Sequence, residues 1–251
     1  MNPDTRIVVC CYAGEAHQFG LDIYLHHECP VLILSPEDSP VTVNLPNVYY
    51  RFGGKRAYIG QDSLDRQRRH LEILLEYPQN HFLIHDADSV CLDPVIPQYL
   101  YDEPDIVWSN QVDDAMPEHQ ATFLEGWPHV AFQPPYFLSR KTIEAMLAVA
   151  NDPRCAASPM MPFIDYYMVQ LTMVAGLPWR RFMNCLSCRI TYPIRGKDAA
   201  AALRGDAVMV HSVKDPRTVR GLLEARKNFL TRHPVVVPSF IGPPRITGGR
   251  S

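Results

Sequence analysis

The stretch His81-Phe-Leu-Ile-His-Asp-Ala-Asp-Ser-Val-Cys-Leu92 constrains the fold more than any other part of the chain, because a short apolar run delivers two carboxylates, Asp86 and Asp88, at its end. Phe82, Leu83 and Ile84 read as a strand buried on both faces, which requires a sheet covered on both sides. Open sheets of that kind bind ligands beyond the carboxyl ends of their strands. Residues two apart in extended chain point to the same side, so both carboxylates can face one ligand. Two like charges in a cleft raise each other's pKa unless a hard divalent cation lies between them and the phosphates of a nucleotide. Asp-x-Asp is also common as a turn cap or a solvated loop. Its place directly after an apolar strand is what points to a metal-diphosphate site.

The flanking sequence supplies strands in alternation with helices. Residues 6–11 read as a first buried strand, followed by a turn at Ala13-Gly14-Glu15 and a short helix over 19–26. A strand, a turn and a helix in that order suggest a nucleotide-binding half-sheet. Further strands are expected at 31–34 and 47–51, the second ended by Gly53-Gly54. Over 61–77, Leu64, Leu71, Leu74 and Leu75 recur at helical spacings with Arg66, Arg68, Arg69 and Glu72 on the remaining faces. After the acidic motif come an expected strand at 105–109, a loop over 110–127, an extended stretch over 130–138 and a helix over 141–150 capped by Ser139. A helix over 163–175, stopped by Gly176 and Pro178, carries Asp165 in its first turn. A late strand at 207–210 leads to His211 and a basic helix over 216–230, and a proline-rich close follows. The pattern predicts one α/β domain with a mixed, mostly parallel sheet flanked by helices.

Hydrophobic content of 47% and charged content of 20% belong to a soluble globular protein, and a net charge of −3 gives no general attraction to polyanions. From residue 214 onward, however, eight Lys or Arg stand against two Asp or Glu. That basic extension can meet a phosphate-rich partner or form a solvated surface helix. No apolar run approaches the ~20 residues needed to span a bilayer, so no membrane role is expected. The seven cysteines are odd in number, and adjacent Cys10 and Cys11 point to opposite faces of a strand. A disulfide framework is therefore not expected, and the reducing cytoplasm is the simplest location. Cys185-Leu-Ser-Cys188 has half the spacing of a zinc site with no matching second pair, and reads as structural. No heptad or long apolar helix face indicates an oligomeric state.

Taken in order, residues 6–215 resemble a nucleotide-sugar-dependent glycosyltransferase of the GT-A fold, with a Rossmann-like N-terminal half and an Asp-x-Asp closing the fourth strand. The resemblance implies a catalytic domain over 1–215, divided into a nucleotide-sugar half (1–92) and an acceptor half (93–215), with a basic helix and tail over 216–251. It implies Mn²⁺ or Mg²⁺ held by Asp86 and Asp88 against the donor diphosphate, Asp86 serving both metal and donor. His211, in Val210-His-Ser-Val-Lys214, matches the histidine that completes the metal shell, and Lys214 would contact phosphate. UDP is the expected nucleotide by family habit. Asp165 resembles the acidic residue that opens the acceptor-side helix, the base for an inverting transfer or an orienting group for a retaining one.

Other positions are read from their residues. Tyr12 and Gly14 end the first strand where a nucleobase can stack and backbone can approach closely. Arg66 or Arg69 can reach the diphosphate from the helix over 61–77. Trp127 and Tyr136 offer flat faces for a sugar or a base, as does Trp108. The acceptor hydroxyl would lie on a glycan or, as in phage-type relatives of this fold, on a hydroxymethylated pyrimidine in DNA. Two rival readings stay open. Asp86-Ala-Asp-Ser-Val90 also satisfies the opening of haloacid-dehalogenase-like phosphatases, with Asp86 as nucleophile, although that motif normally follows the first strand. A nucleotide- or nucleic-acid-binding module without turnover is the other.

Overall fold

The computed structural model describes residues 5–10, 30–36, 48–54, 60–86, 89–92, 96–113, 130–156, 164–183, 185–187, 208–211, 213 and 215–232. Its strands are β1 (Thr5–Cys10), β2 (Val31–Ser35), β3 (Val48–Phe52), β4 (His81–Asp86), β5 (Val90–Cys91), β6 (Val107–Asp113), β7 (Val130–Ser139), β8 (Trp179–Arg181), β9 (Cys185–Ser187) and β10 (Met209–His211). The α-helices are α1 (Gly60–Leu75), α2 (Tyr99–Asp102), α3 (Arg140–Ala148), α4 (Ile164–Val174) and α5 (Pro216–Arg232).

Seven strands form one sheet in the order β3-β2-β1-β4-β7-β6-β8. The first four are parallel, with Ile7 opposite Val31 and Cys10 opposite Asp86, and only β7 runs against its neighbours. The sheet is thus mixed and mostly parallel, as the alternation of strands and helices requires. From β1 the chain steps outward to β2 and β3, then crosses to β4 on the other side of β1. The order reverses between β1 and β4, and a crevice beyond the carboxyl ends of those two strands is where such sheets take ligands.

Alternation along each strand divides the core. Leu32, Leu34, Phe82 and Ile84 face a cluster that includes Leu71 and Leu74 of α1, Ile143 of α3 and Leu171 of α4. Val31, Ile33 and Leu83 face the opposite cluster, built from Leu100 of α2, Val219 and Leu222 of α5, and the strands of a second sheet in the order β5-β10-β9. Each such fully buried side chain contributes about 1.5–3 kcal/mol. Cys91, Cys155 and Cys185 are buried thiols.

Local chemistry sets the joints. Ser139 Oγ accepts from the Thr142 amide at 3.1 Å and caps α3. Arg140 caps the carboxyl end of α1, donating to the carbonyls of Leu75, Tyr77 and Gln79. Past β3, the Gly53 amide bonds Ser35 O at 3.0 Å, and a Cβ there would lie 2.6 Å from His70 Nε2. Burial, and next the Arg66 charge, hold the His70 imidazole down to about 3, so it packs as a neutral ring. Gly53→Ala is expected to push α1 off the sheet and destabilise the fold by about 1–3 kcal/mol in urea denaturation.

The expected helices recur within two residues at the ends described, apart from the one over 19–26, which lies outside the described residues. Three differences stand out. The strand expected at 105–109 starts later and runs to Asp113, into the expected loop. The late strand is shifted to Met209–His211, which makes the histidine its last residue. β5, β8 and β9 are two or three residues long, too short to show a periodic pattern.

Candidate functional site at the carboxyl ends of β1 and β4

β4 carries four buried residues between partly buried His81 and partly buried Asp86, and Asp86 stands in register with Cys10 at the end of β1. The residue that opens the acidic motif therefore stands where the strand order reverses, the place at which such sheets take ligands. Two residues beyond the motif, β5 pairs antiparallel with β10, Val90 opposite Val210 and Cys91 opposite Met209. That register sets Ser89 against His211, and Ser89 Oγ lies 2.8 Å from His211 Nδ1. The Ser89 amide donates to Asp86 O at 3.0 Å. Ser89 thus links the main chain of Asp86, at the end of β4, to a histidine 122 positions beyond Ser89 itself. His85 is buried and places Nδ1 3.0 Å from Asp86 O, beside the motif.

The chemistry of this donor set fits a divalent cation of the Mn²⁺ or Mg²⁺ type: carboxylate oxygen with one imidazole, whose Nδ1 is engaged and which would coordinate through Nε2. Among the described residues no three His, Cys, Asp or Glu side chains form a complete metal group. Asp88 lies outside the described residues, as do Tyr12, Gly14, Trp127 and Lys214.

Asp165 sits in the first turn of α4. Burial pushes its carboxyl up to about 7, and a hydrogen bond from the Gln133 side chain offsets part of that rise. β7 pairs with β4 from Ser139–His81 to Tyr136–Ile84, so Gln133 lies farther along, toward the end at which β4 delivers Asp86. Across from Gln133, buried Asn110 donates to Pro134 O at 3.3 Å and secures this part of β7. Asp165 is accordingly held at the same sheet edge as Asp86, with its proton equilibrium near neutrality. That is the property required of a group that takes a proton from a hydroxyl.

The two arginines separate. Arg66 is buried in α1 against Gly54, at the turn that ends β3 on this same edge. Arg69 is half-exposed and pairs with Glu72 at 3.6 Å and Glu76 at 3.9 Å, along the helix surface. Tyr136 is 3% exposed and its hydroxyl donates to Phe132 O at 2.6 Å. It packs among core residues, as does Trp108, so neither presents a flat face to an acceptor here. Ser89 and Gln133 escape sequence reading, the first hidden behind two carboxylates. Gln133 leaves a faint signal, since it is the lone side-chain amide in a mostly apolar strand.

No protein-family model matches the chain, and no curated protein matches it. Among solved structures it is similar to 2-C-methyl-D-erythritol 4-phosphate cytidylyltransferase from Thermus thermophilus, at 14% identity and a TM-score of 0.42, over 88% of this chain and 98% of that one. A likeness of that size carries no argument about what this chain does. No described helix is long and apolar enough to cross a membrane.

Proposed function

We propose that the chain is a metal-dependent glycosyltransferase of the GT-A type, moving a sugar from a nucleotide diphosphate sugar, UDP-sugar first, to an acceptor hydroxyl. The observation that carries this reading is the Ser89–His211 bond, which draws the late histidine to the acidic motif at the sheet's switch point. On this reading Tyr12 and Gly14 would meet the base of the bound carrier, and Asp86, Asp88, Arg66 and Lys214 its diphosphate. Arg69, with its two glutamate partners, is the less favoured phosphate contact. Asp86, Asp88 and His211 would hold the cation, which would supply Lewis acidity to the departing diphosphate.

The residues supply the rest. Asp165, in its ionised form, takes the acceptor proton as the new bond forms at the sugar carbon, in an inverting transfer. Gln133 keeps the carboxyl aimed by its hydrogen bond. Trp127 is the flat surface assigned to the acceptor. The acceptor hydroxyl belongs to a glycan or to a hydroxymethylated pyrimidine in DNA. A DNA acceptor would show itself in a steep fall of activity with salt, and a glycan in a shallow one.

Manganese-dependent hydrolysis of a panel of nucleotide sugars tests the reading. Transferases lacking an acceptor slowly use water, so one donor is expected to release its sugar with Mn²⁺ and not with a chelator. Binding without sugar release would favour a non-catalytic module. Aryl phosphate hydrolysis lost in Asp86→Asn would favour the phosphatase reading.

A further inference from the structure

We propose that Ser89 is a positioning residue that presets His211 toward the cation, an inference that rests on the metal-dependent reading above. Three observations carry it. Ser89 is buried, 1% exposed, so its hydroxyl is shielded from competition by bulk water. Its Oγ lies 2.8 Å from His211 Nδ1, and its amide bonds Asp86 O at 3.0 Å. The β5–β10 ladder pairs Val90 with Val210, immediately beside this contact, so its placement is set by a backbone register and not by two mobile side chains.

An imidazole that ligates through Nε2 must carry its proton on Nδ1, and something must accept that proton and hold the ring plane. Ser89 Oγ fills this role, and the ring swings no farther than the hydrogen bond allows. The same residue ties down the backbone of Asp86. Loss of the hydroxyl therefore releases one ligand while leaving the bond from the Ser89 amide to Asp86 O intact. Outer partners of this kind typically change metal affinity about 10–100-fold.

A double-mutant cycle on the full chain separates this role from a packing role. Free Mn²⁺ is measured by electron paramagnetic resonance in titrations with the metal alone, for the parent protein, Ser89→Ala, His211→Ala and the double variant. Ser89→Ala is expected to weaken Mn²⁺ binding about 10–100-fold in the parent background. On the His211→Ala background it is expected to add no more than about a 2-fold loss, because the residue through which it acts is gone. An unchanged Mn²⁺ affinity in Ser89→Ala overturns the inference and leaves the metal-dependent reading standing. The same full loss on both backgrounds also overturns it, by showing that Ser89 acts on the fold and not through His211. A parent protein that binds no Mn²⁺ defeats the metal reading and the inference together.

Discussion

Asp165→Asn is expected to slow sugar transfer by about 10²–10⁴-fold while making the protein more stable above pH 7. Both halves follow from one carboxyl. With its folded pKa raised to about 7 against an ordinary value of 3.8, Asp165 keeps its proton in the native state over a range where the unfolded chain has already released it. A group raised in this way contributes stability that is fully present below its unfolded pKa and is lost as pH climbs through its folded one. Between about pH 4 and 7 the loss runs at about 1.4 kcal/mol per pH unit. Asparagine cannot ionise and retains an amide for Gln133, so the variant escapes that loss. Urea denaturation at pH 4 and pH 8 should show the gap between variant and parent opening only at the higher pH. In the parent, kcat/KM should rise with pH through about 7, and the variant should lack that limb. A variant that kept full transfer rate would remove Asp165 as the base and leave it an orienting role, as in a retaining enzyme.

Asp86→Asn is expected to abolish Mn²⁺-dependent sugar release and to weaken Mn²⁺ binding by more than about 100-fold, beyond what outer partners cost. The substitution keeps the size of the side chain and the backbone carbonyl to which Ser89 bonds, but it removes the anionic oxygen at the end of β4. Asp88→Asn is expected to behave alike. Isothermal titration with Mn²⁺ and a nucleoside diphosphate reads the loss directly, and unchanged binding would take Asp86 out of the site. The fold is expected to hold, because Asp86 is a partly buried terminal residue and the strand's four buried residues, Phe82 to His85, are untouched.

What the sequence conveys is what local chemistry encodes. The apolar run ending at Asp86 has one buried strand as its solution, and Ser139, Gly176 and Pro178 mark helix ends by their own conformational limits. The non-local pairing is silent at this level. The resemblance brings His211 to the acidic motif, but no local signal announces its contact with Ser89, which follows from β5 and β10, strands of two and three residues. Aromatic character likewise does not separate a sugar platform from a core residue, which is why Tyr136 reads as one and packs as the other. The same limit holds for charge: Arg66 and Arg69 are three residues apart on one helix, yet only the first is buried at the sheet edge.

The second sheet also bears on synthesis. Its central strand, β10, leaves the ribosome more than a hundred residues after β5, the strand it must join. Closing so long a loop is slow and comes after local structure. A nascent chain can thus assemble every strand of the large sheet while still lacking its histidine, since β8 precedes β10. The proposed cation site would be completed only when that later segment docks, after the strands of the main sheet have all been made.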